Sequence, residues 1–327
     1  MNDRSPAVLG LLAIVLAGSA PIAGQTGARP DLQGVWVSNS ATPLERPKAL
    51  EGKQSLTDAE VAELKKRSDK IFRNGSGLSD YAAGDNAFLA ALGDVEKYKN
   101  PAISTGSSID MIERVFDNRT SLIIDPPDGL LPPLTAAGRQ RQAAAAAAAQ
   151  SPAGPEDLNN ALRCITWGVP RLGGNFGAGP YSYYQIVQTP KYVVLLMEAA
   201  HEARIIPLDG RPHLPPSVRQ WSGDSRGRWE GKTLVVDTTN FSPKSYYMGS
   251  AENLHLVERF TRIAPDTIHY QITVDDSTTW TKPWTAVILL KHSEEKVYEF
   301  ACHEGNEPMF GMLSAARAQE AATKSVK

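Results

Sequence analysis

Beyond residue 180 the chain is cut into short runs that alternate apolar and polar residues, separated by Gly, Pro, Asp or Asn. This repeat confines the fold more than any other feature. Tyr183 to Gln188, Tyr192 to Met197, Ala203 to Pro207, Thr233 to Thr238, Leu254 to Ile263, Thr267 to Val274, Trp284 to Leu290 and Val297 to Cys302 each read as a strand. In Glu258-Arg259-Phe260-Thr261-Arg262 and in His269-Tyr270-Gln271-Ile272-Thr273-Val274 one face is wet and the other dry, the pattern of antiparallel pairing. Pro265-Asp266 supplies a hairpin turn between two of them. Strands this short and close connect in chain order, so an up-and-down barrel or strongly curved antiparallel sheet is expected. The 26 glycines and 23 prolines disfavour a long-helix or coiled-coil protein.

The first half reads differently. Asp31 to Val37 is a strand, the ninth of the set. Thr57-x-x-Glu60 is a capping box that opens a helix running to about Phe72, and a second helix is expected from Asn86 to Lys97. Gly75 to Gly84 reads as a loop. Arg119 to Asp125 is a short β-branched run that Pro126-Pro127-Asp128-Gly129 stops at once. The alanines from Ala143 to Ala149 favour helix by propensity but bury almost nothing, so residues 136–155 read as a solvated helix or linker. The expected plan is mainly β (α+β): one β-rich domain over residues 25–327, with a helical insertion at about 50–160.

Residues 1–24 have the layout of a secretory signal peptide, with Arg4 before an apolar run from Ala7 to Ala17 and small residues through Gly24. Cleavage is expected near Gly24, because cutting after Ala20 would leave Pro21 first. The apolar run is well short of the roughly 20 residues a bilayer needs, so no stable membrane insertion is expected. The destination is periplasmic or extracellular. In such a compartment Cys164 and Cys302, the two cysteines of the chain, can pair or remain free and buried. A two-cysteine chain offers no thiolate metal site, and neither a metal nor another cofactor is expected. A formal net charge of −2 argues against a nucleic-acid partner recognised by bulk charge.

The densest polar stretch runs from His201 to Lys232. Arg204, Arg211, Arg219, Arg226 and Arg228 outnumber Asp209 and Asp224, a local preference for anions in a slightly acidic chain. With His213, Asp224, Trp221, Trp229 and the more distant Trp280, these residues could bind a carboxylate-bearing or carbohydrate ligand, the tryptophans offering flat faces for rings. The alternative is a long loop whose arginines pair with Asp224, Glu230 and backbone carbonyls. His201, and His303 with Glu304 beyond the last expected strand, are the acid/base candidates. His201-Glu202-x-Arg204 lacks the second histidine of a zinc protease motif, because position 205 is Ile. On a strand, Glu202 and Arg204 would share a face and could form an ion pair. Gly173 to Gly179 is glycine-rich but precedes a strand, which makes phosphate cradling improbable.

Several long phrases resemble those of a family of exported bacterial proteins of unassigned function: Arg119 to Gly129 (RTSLIIDPPDG), Gln185 to Pro190 (QIVQTP), Ala203 to His213 (ARIIPLDGRPH), Gly223 to Phe241 and Tyr298 to Asn306 (YEFACHEGN). The resemblance covers about Asp31 to Arg317; it implies export and carries no activity. Gly34 and Trp36, spaced as G-x-W on the first strand, are similar to the pattern by which lipocalin-like barrels close their bottom end, though the helical insertion departs from a compact lipocalin. These readings converge on an exported protein that acts on or binds an anionic, oxygen-rich small molecule or carbohydrate in or at the mouth of a barrel. Lyase or hydrolase chemistry is one expectation. A non-catalytic lipocalin-like binder, or a cell-envelope interaction protein, is the alternative.

Overall fold

The computed structural model describes residues 29–72, 86–93, 115–169 and 183–325. The expected signal peptide, the Gly75 to Gly84 loop, the Gly173 to Gly179 run and the end of the helix expected from Asn86 to Lys97 lie outside the described residues.

The protein is mainly antiparallel β. Its strands are β1 (Gly34–Ser38), β2 (Ile123–Asp125), β3 (Tyr183–Gln188), β4 (Tyr192–Met197), β5 (Ala203–Pro207), β6 (Asp224–Glu230), β7 (Thr233–Thr239), β8 (His255–Ala264), β9 (Thr267–Asp275) and β10 (Trp284–Ser293). They pair in the order β5-β4-β3-β1-β10-β9-β8-β7-β6, with β2 added beside β10. Nine strands thus curl into a nearly closed barrel, as the alternating runs predict, with β5 and β6 facing each other at the seam. Gly227 makes that approach possible: a Cβ there would lie 2.6 Å from Leu208 Cδ2 and 2.8 Å from Ile206 Cγ2. The hairpin at Pro265-Asp266 joins β8 to β9 with Arg262 opposite Ile268.

The inward positions follow the period of two. Leu256, Glu258 and Phe260 of β8 face Ile268, Tyr270, Ile272 and Val274 of β9 and Trp284, Ala286, Ile288 and Leu290 of β10, all buried. Phe260 and Tyr270 stack with centroids 4.3 Å apart. This barrel is filled by its own side chains, like a small closed barrel. Trp36 fills the end opposite the starts of β6, β8 and β10. It is fully buried, donates from Nε1 to Leu32 O at 2.9 Å, and carries the Arg262 guanidinium 5.4 Å above its ring. The G-x-W strand therefore seals one end of the barrel, in keeping with a lipocalin-like architecture.

Outside the barrel, α1 (Asp58–Phe72) and α2 (Asn86–Leu92) share a small core of Leu56, Leu64, Phe88 and Ala91. The capping box at α1 forms as predicted: Thr57 N donates to Glu60 Oε2 at 2.8 Å and Glu60 N to Thr57 Oγ1 at 3.3 Å. The alanine-rich stretch is a helix, α3 (Ala136–Gln150), capped by Thr135 and attached by its first turns, where Gly138 abuts the Thr279 backbone and Arg141 donates to Gly249 O and Thr279 Oγ1.

Two expectations need correction, and one helix was not anticipated. Val297 to Cys302 is not a strand, because both edges of β10 are already taken by β1 and β9; a disulfide at Cys302 and the edge contact of Phe300 with Trp167 hold it instead. The polar stretch from His201 to Lys232 is not one loop, for Asp224–Glu230 within it is β6. Its alternation is masked because the inward residues, Ser225 and Gly227, are small or polar at the seam. A further helix, α4 (Glu307–Ser325), follows the barrel; among its described side chains only Ala316 is buried, so its sequence carries little apolar period.

A candidate ligand cleft at the open end of the barrel

The end of the barrel opposite Trp36, where β6, β8 and β10 begin and β7 and β9 end, holds a cleft of about 440 Å³. Three chain segments build it. One is the turn-rich stretch Asn159 to Val169, the second is Trp221 just before β6, and the third is the β7–β8 connection from Phe241 to Leu254. Trp167, Trp221, Phe241, Tyr246 and Tyr247 supply aromatic surface, and Asn159, Asn160, Ser245 and Ser250 supply polar groups. Among the described residues no charged one lines it. Such a cavity is of the size and apolar character of small-molecule sites.

Most of the polar groups are already committed. Asn160 Nδ2 donates to Lys244 O at 2.9 Å, Ser245 Oγ to Trp221 O at 2.8 Å, and Ser250 Oγ to Asp276 Oδ2 at 2.5 Å. The Tyr247 hydroxyl is different: it is buried without a hydrogen-bond partner, and burial pushes its pKa well up. Behind the wall stands Glu202. Its Oε1 accepts from Thr166 Oγ1 at 2.8 Å and from Ser222 Oγ, while its Oε2 is buried with no partner.

The wall formed by residues 159–169 is anchored from the C-terminal side. Cys164 and Cys302 form a disulfide with Cα atoms 5.8 Å apart. Asn306 Nδ2 donates to Leu162 O at 2.7 Å, and Arg317 donates to Pro152 O and Ala153 O, both at 2.8 Å.

The residues expected to bind or act on a ligand are distributed otherwise. Trp221 alone of them lines the cleft. Arg204 points into the barrel, where Nη1 and Nη2 meet the Glu258 carboxylate at 3.0 and 2.5 Å and Nη2 also donates to Ser225 and Thr238. Burial works against its charge, but Glu258 outweighs burial and the guanidinium pKa is raised. The expected Glu202/Arg204 pair is thus replaced by Arg204/Glu258, since Glu202 lies in the turn before β5 and reaches Thr166. Trp280 is 2 % exposed and packs edge-on against Trp284, so it belongs to the core. Trp229 is packed against the same core. Arg211 pairs with Asp209, Arg228 with Glu230, and Arg219 donates to Phe241 O and Glu252 O. For Arg211, Arg219, Arg226 and Arg228 the alternative reading, pairing with local acids and backbone carbonyls, is the arrangement the structure has, whereas Arg204 takes the distant Glu258.

His213 and Asp224 join Arg226 in a row on the outer face of β6, β7 and β8. Asp224 accepts from Arg226 Nη1 at 2.6 Å and lies 2.9 Å from His213 Nδ1; His213 Nε2 lies 2.9 Å from Asp237, whose second oxygen is 3.0 Å from His255 Nε2. Asp275 pairs across the ladder with His255. Among the described residues no group of three or more His, Cys, Asp or Glu is arranged to hold a metal. His201 is exposed in a 3-10 turn, beside Glu198 and Tyr298 in a shallow open hollow, and burial holds the Glu198 carboxyl above its ordinary 4.5. His303 and Glu304 are exposed in the turn after Cys302. Among the described residues no side-chain hydrogen bond or ion pair joins His201, His303 or Glu304 to an arginine.

The outer row ties the β5–β6 connection, which carries Trp221, to the barrel wall, and its strength depends on pH. The hydrogen bond to Asp237 raises the His255 pKa above 6.5, and the same bond lowers that of Asp237 below 3.8. A raised His stabilises fully below its unfolded value and loses that contribution as pH climbs through its folded value; a lowered Asp loses its contribution as pH falls through its own. The pair therefore supports the fold most between 3.8 and 6.5. Wild type should exceed Asp237→Asn in urea stability at about pH 5, and by clearly less at about pH 9. An equal margin at both would show that His255 protonation adds nothing.

No family model, curated protein or solved structure matches this chain.

Among the residues that sequence reasoning missed, Tyr246-Tyr247 carried a usable signal, a pair of large aromatics inside a polar connection. Thr166 and Trp167 carried none, because their segment is held at the barrel mouth by partners distant in sequence: the Cys164–Cys302 disulfide, Glu202, Lys244 and Asn306.

Proposed function

We propose that this is an exported, non-catalytic binding protein whose cleft at the barrel mouth holds a small, uncharged, ring-containing molecule. The observation that carries the reading is the lining: among the described residues, five aromatic ones and no charged one around about 440 Å³. Flat faces contribute large contact area at little cost in rotamer entropy, and the described part of the lining offers no cation to neutralise a carboxylate. The pairing of the arginines with Glu258, Asp209, Asp224 and Glu230 supports binding of neutral rings over the anion chemistry expected from composition. The disulfide is compatible with an oxidising compartment. Among the described residues no helix is long and apolar enough to cross a membrane.

The test is a panel of neutral glycosides, neutral aromatics, aromatic acids and uronic-acid polymers, followed by calorimetry and by product analysis. A neutral ring compound is expected to bind without turnover. Trp221→Ala should weaken it by about tenfold or more, the loss of about 1.4 kcal/mol of stacking, while His201→Ala and Arg226→Ala bind as wild type. Turnover that disappears in His201→Ala, or binding confined to acids and lost in Arg226→Ala, would overturn the reading.

A further inference from the structure

The cleft wall contains a turn that its own sequence disfavours. Tyr247 N donates to Ser250 O and Ser250 N to Tyr247 O, both at 2.8 Å, so Met248 and Gly249 form a two-residue turn that closes a short hairpin. Both have positive φ, 52° at Met248 and 97° at Gly249, the pattern of a type I′ turn. Asn-Gly is the favoured pair in such a turn. Methionine is not, because in left-handed backbone its Cβ crowds the following carbonyl. Tyr246, Tyr247 and Ser250 line the cleft, so the shape of this turn sets where two of the five aromatic rings stand.

Helix α3 supplies what the turn lacks. Gln142 Nε2 donates to Met248 O at 2.6 Å and Arg141 Nε to Gly249 O at 3.0 Å, so adjacent residues of one helix take both turn carbonyls. The seat is close: a Cβ on Gly249 would lie 2.8 Å from Gln142 Cγ. Arg141 Nη2 also donates to Thr279 Oγ1 at 2.7 Å, while Thr279 Oγ1 and Ser250 Oγ donate to Asp276 Oδ2 at 2.6 and 2.5 Å. The turn is thus clamped between α3 and the β9–β10 connection. Yet α3 adds little to the core, since among its described residues only Gly138 is buried. A solvated helix that sets two neighbouring polar side chains on one strained turn acts on that turn and not on the packing of the barrel.

We propose that Gln142 and Arg141 are positioning residues of the cleft: they hold the Met248-Gly249 turn in its left-handed form and thereby fix Tyr246 and Tyr247 on the lining. This rests on the cleft being a ligand site and adds to it residues outside the lining that set its shape.

The test uses the full-length oxidised protein. Alanine is the best helix former, so Gln142→Ala and Arg141→Ala each remove a bond to the turn without weakening α3. In each, amide exchange should rise by about fivefold to tenfold at Tyr247 and Ser250 while β7 to β9 stay protected. The thermal midpoint of Gln142→Ala should fall by no more than about 2–4 °C, the size of one hydrogen bond in a chain this long. Calorimetry with phenyl glucoside and 2-naphthol, two neutral ring probes, should show a probe that binds wild type weakened by about fivefold to tenfold in each variant. Met248→Asn places in the turn a residue that adopts left-handed backbone readily, so in that background Gln142→Ala should change exchange and affinity by less than about twofold. Equal losses in the two backgrounds, or unchanged exchange in both alanine variants, overturns the proposal. Faster exchange with unchanged affinity overturns the positioning role and leaves the cleft as a site. Failure of both probes to bind wild type overturns the cleft reading and the positioning role with it.

Discussion

Glu258→Ala should destabilise the protein by about 3–5 kcal/mol, the range for stranding one member of a buried ion pair. Glu258 is fully buried and Arg204 is 7 % exposed. Their contact spans the barrel interior from β5 to β8, with Ser225 and Thr238 sharing Arg204 Nη2 and Tyr270 donating to Glu258 Oε1 at 2.5 Å. Removing the carboxylate leaves a cation in an interior that cannot hydrate it, and leaves the Tyr270 hydroxyl unpaired as well. The loss is one of charge, not of volume. The triple variant Arg204→Met, Glu258→Leu, Tyr270→Phe, which removes the charges and the hydroxyl together, should return to within about 1–2 kcal/mol of wild type. Urea midpoints with unchanged slopes measure both. If the single variant costs no more than the triple, the pair is not what holds the seam side of the barrel in place.

The second large effect comes from the disulfide. Cys164 and Cys302 are separated by 138 positions, and the loop they close contains β3 through β10, eight of the nine barrel strands. In the chain-entropy model a loop of that length stabilises by about 5 kcal/mol, by restricting the unfolded chain. Cys164→Ser with Cys302→Ser, or reduction by a dithiol, should lower the unfolding free energy by about that amount. Protection should be lost unevenly. After the bridge is cut, Asn306 to Leu162 and Arg317 to Pro152 and Ala153 remain between the C-terminal segment and residues 151–169. Amide exchange should therefore rise first in α4 and in the cleft wall, while β7 to β9 stay protected until global unfolding. An unchanged thermal midpoint after reduction would mean that the unfolded chain is already as compact without the bridge.

The strand pattern was legible for a local reason. Each of β3, β4, β5, β8 and β9 alternates between a buried and a more exposed face, and alternation is written into neighbouring residues, while β7 and β10 are buried on both faces along part of their length and read as short apolar runs. β6 was hidden because its inner face is Ser225 and Gly227, chosen by contacts to Arg204 and Ile206 that come from another strand. Val297 to Cys302 misled for the converse reason: its local pattern suits a strand, but a strand needs a free neighbour. The same distinction separates the arginines from the cleft. A cluster of basic residues is visible in the sequence, whereas the acid that neutralises each one is visible only where it is adjacent, as Asp209 is to Arg211, and not where it is distant, as Glu258 is to Arg204.

By itself the sequence determined the class of fold, the antiparallel pairing, the strand that seals one end with Trp36 and the capping of α1, since each rests on residues within a turn or two of one another. The tertiary structure alone decided which strands meet at the seam, that Cys164 reaches Cys302, and that the arginines of the polar stretch are paired while an aromatic cleft forms at the barrel mouth. Those outcomes depend on side chains separated by tens of residues coming within a few ångströms.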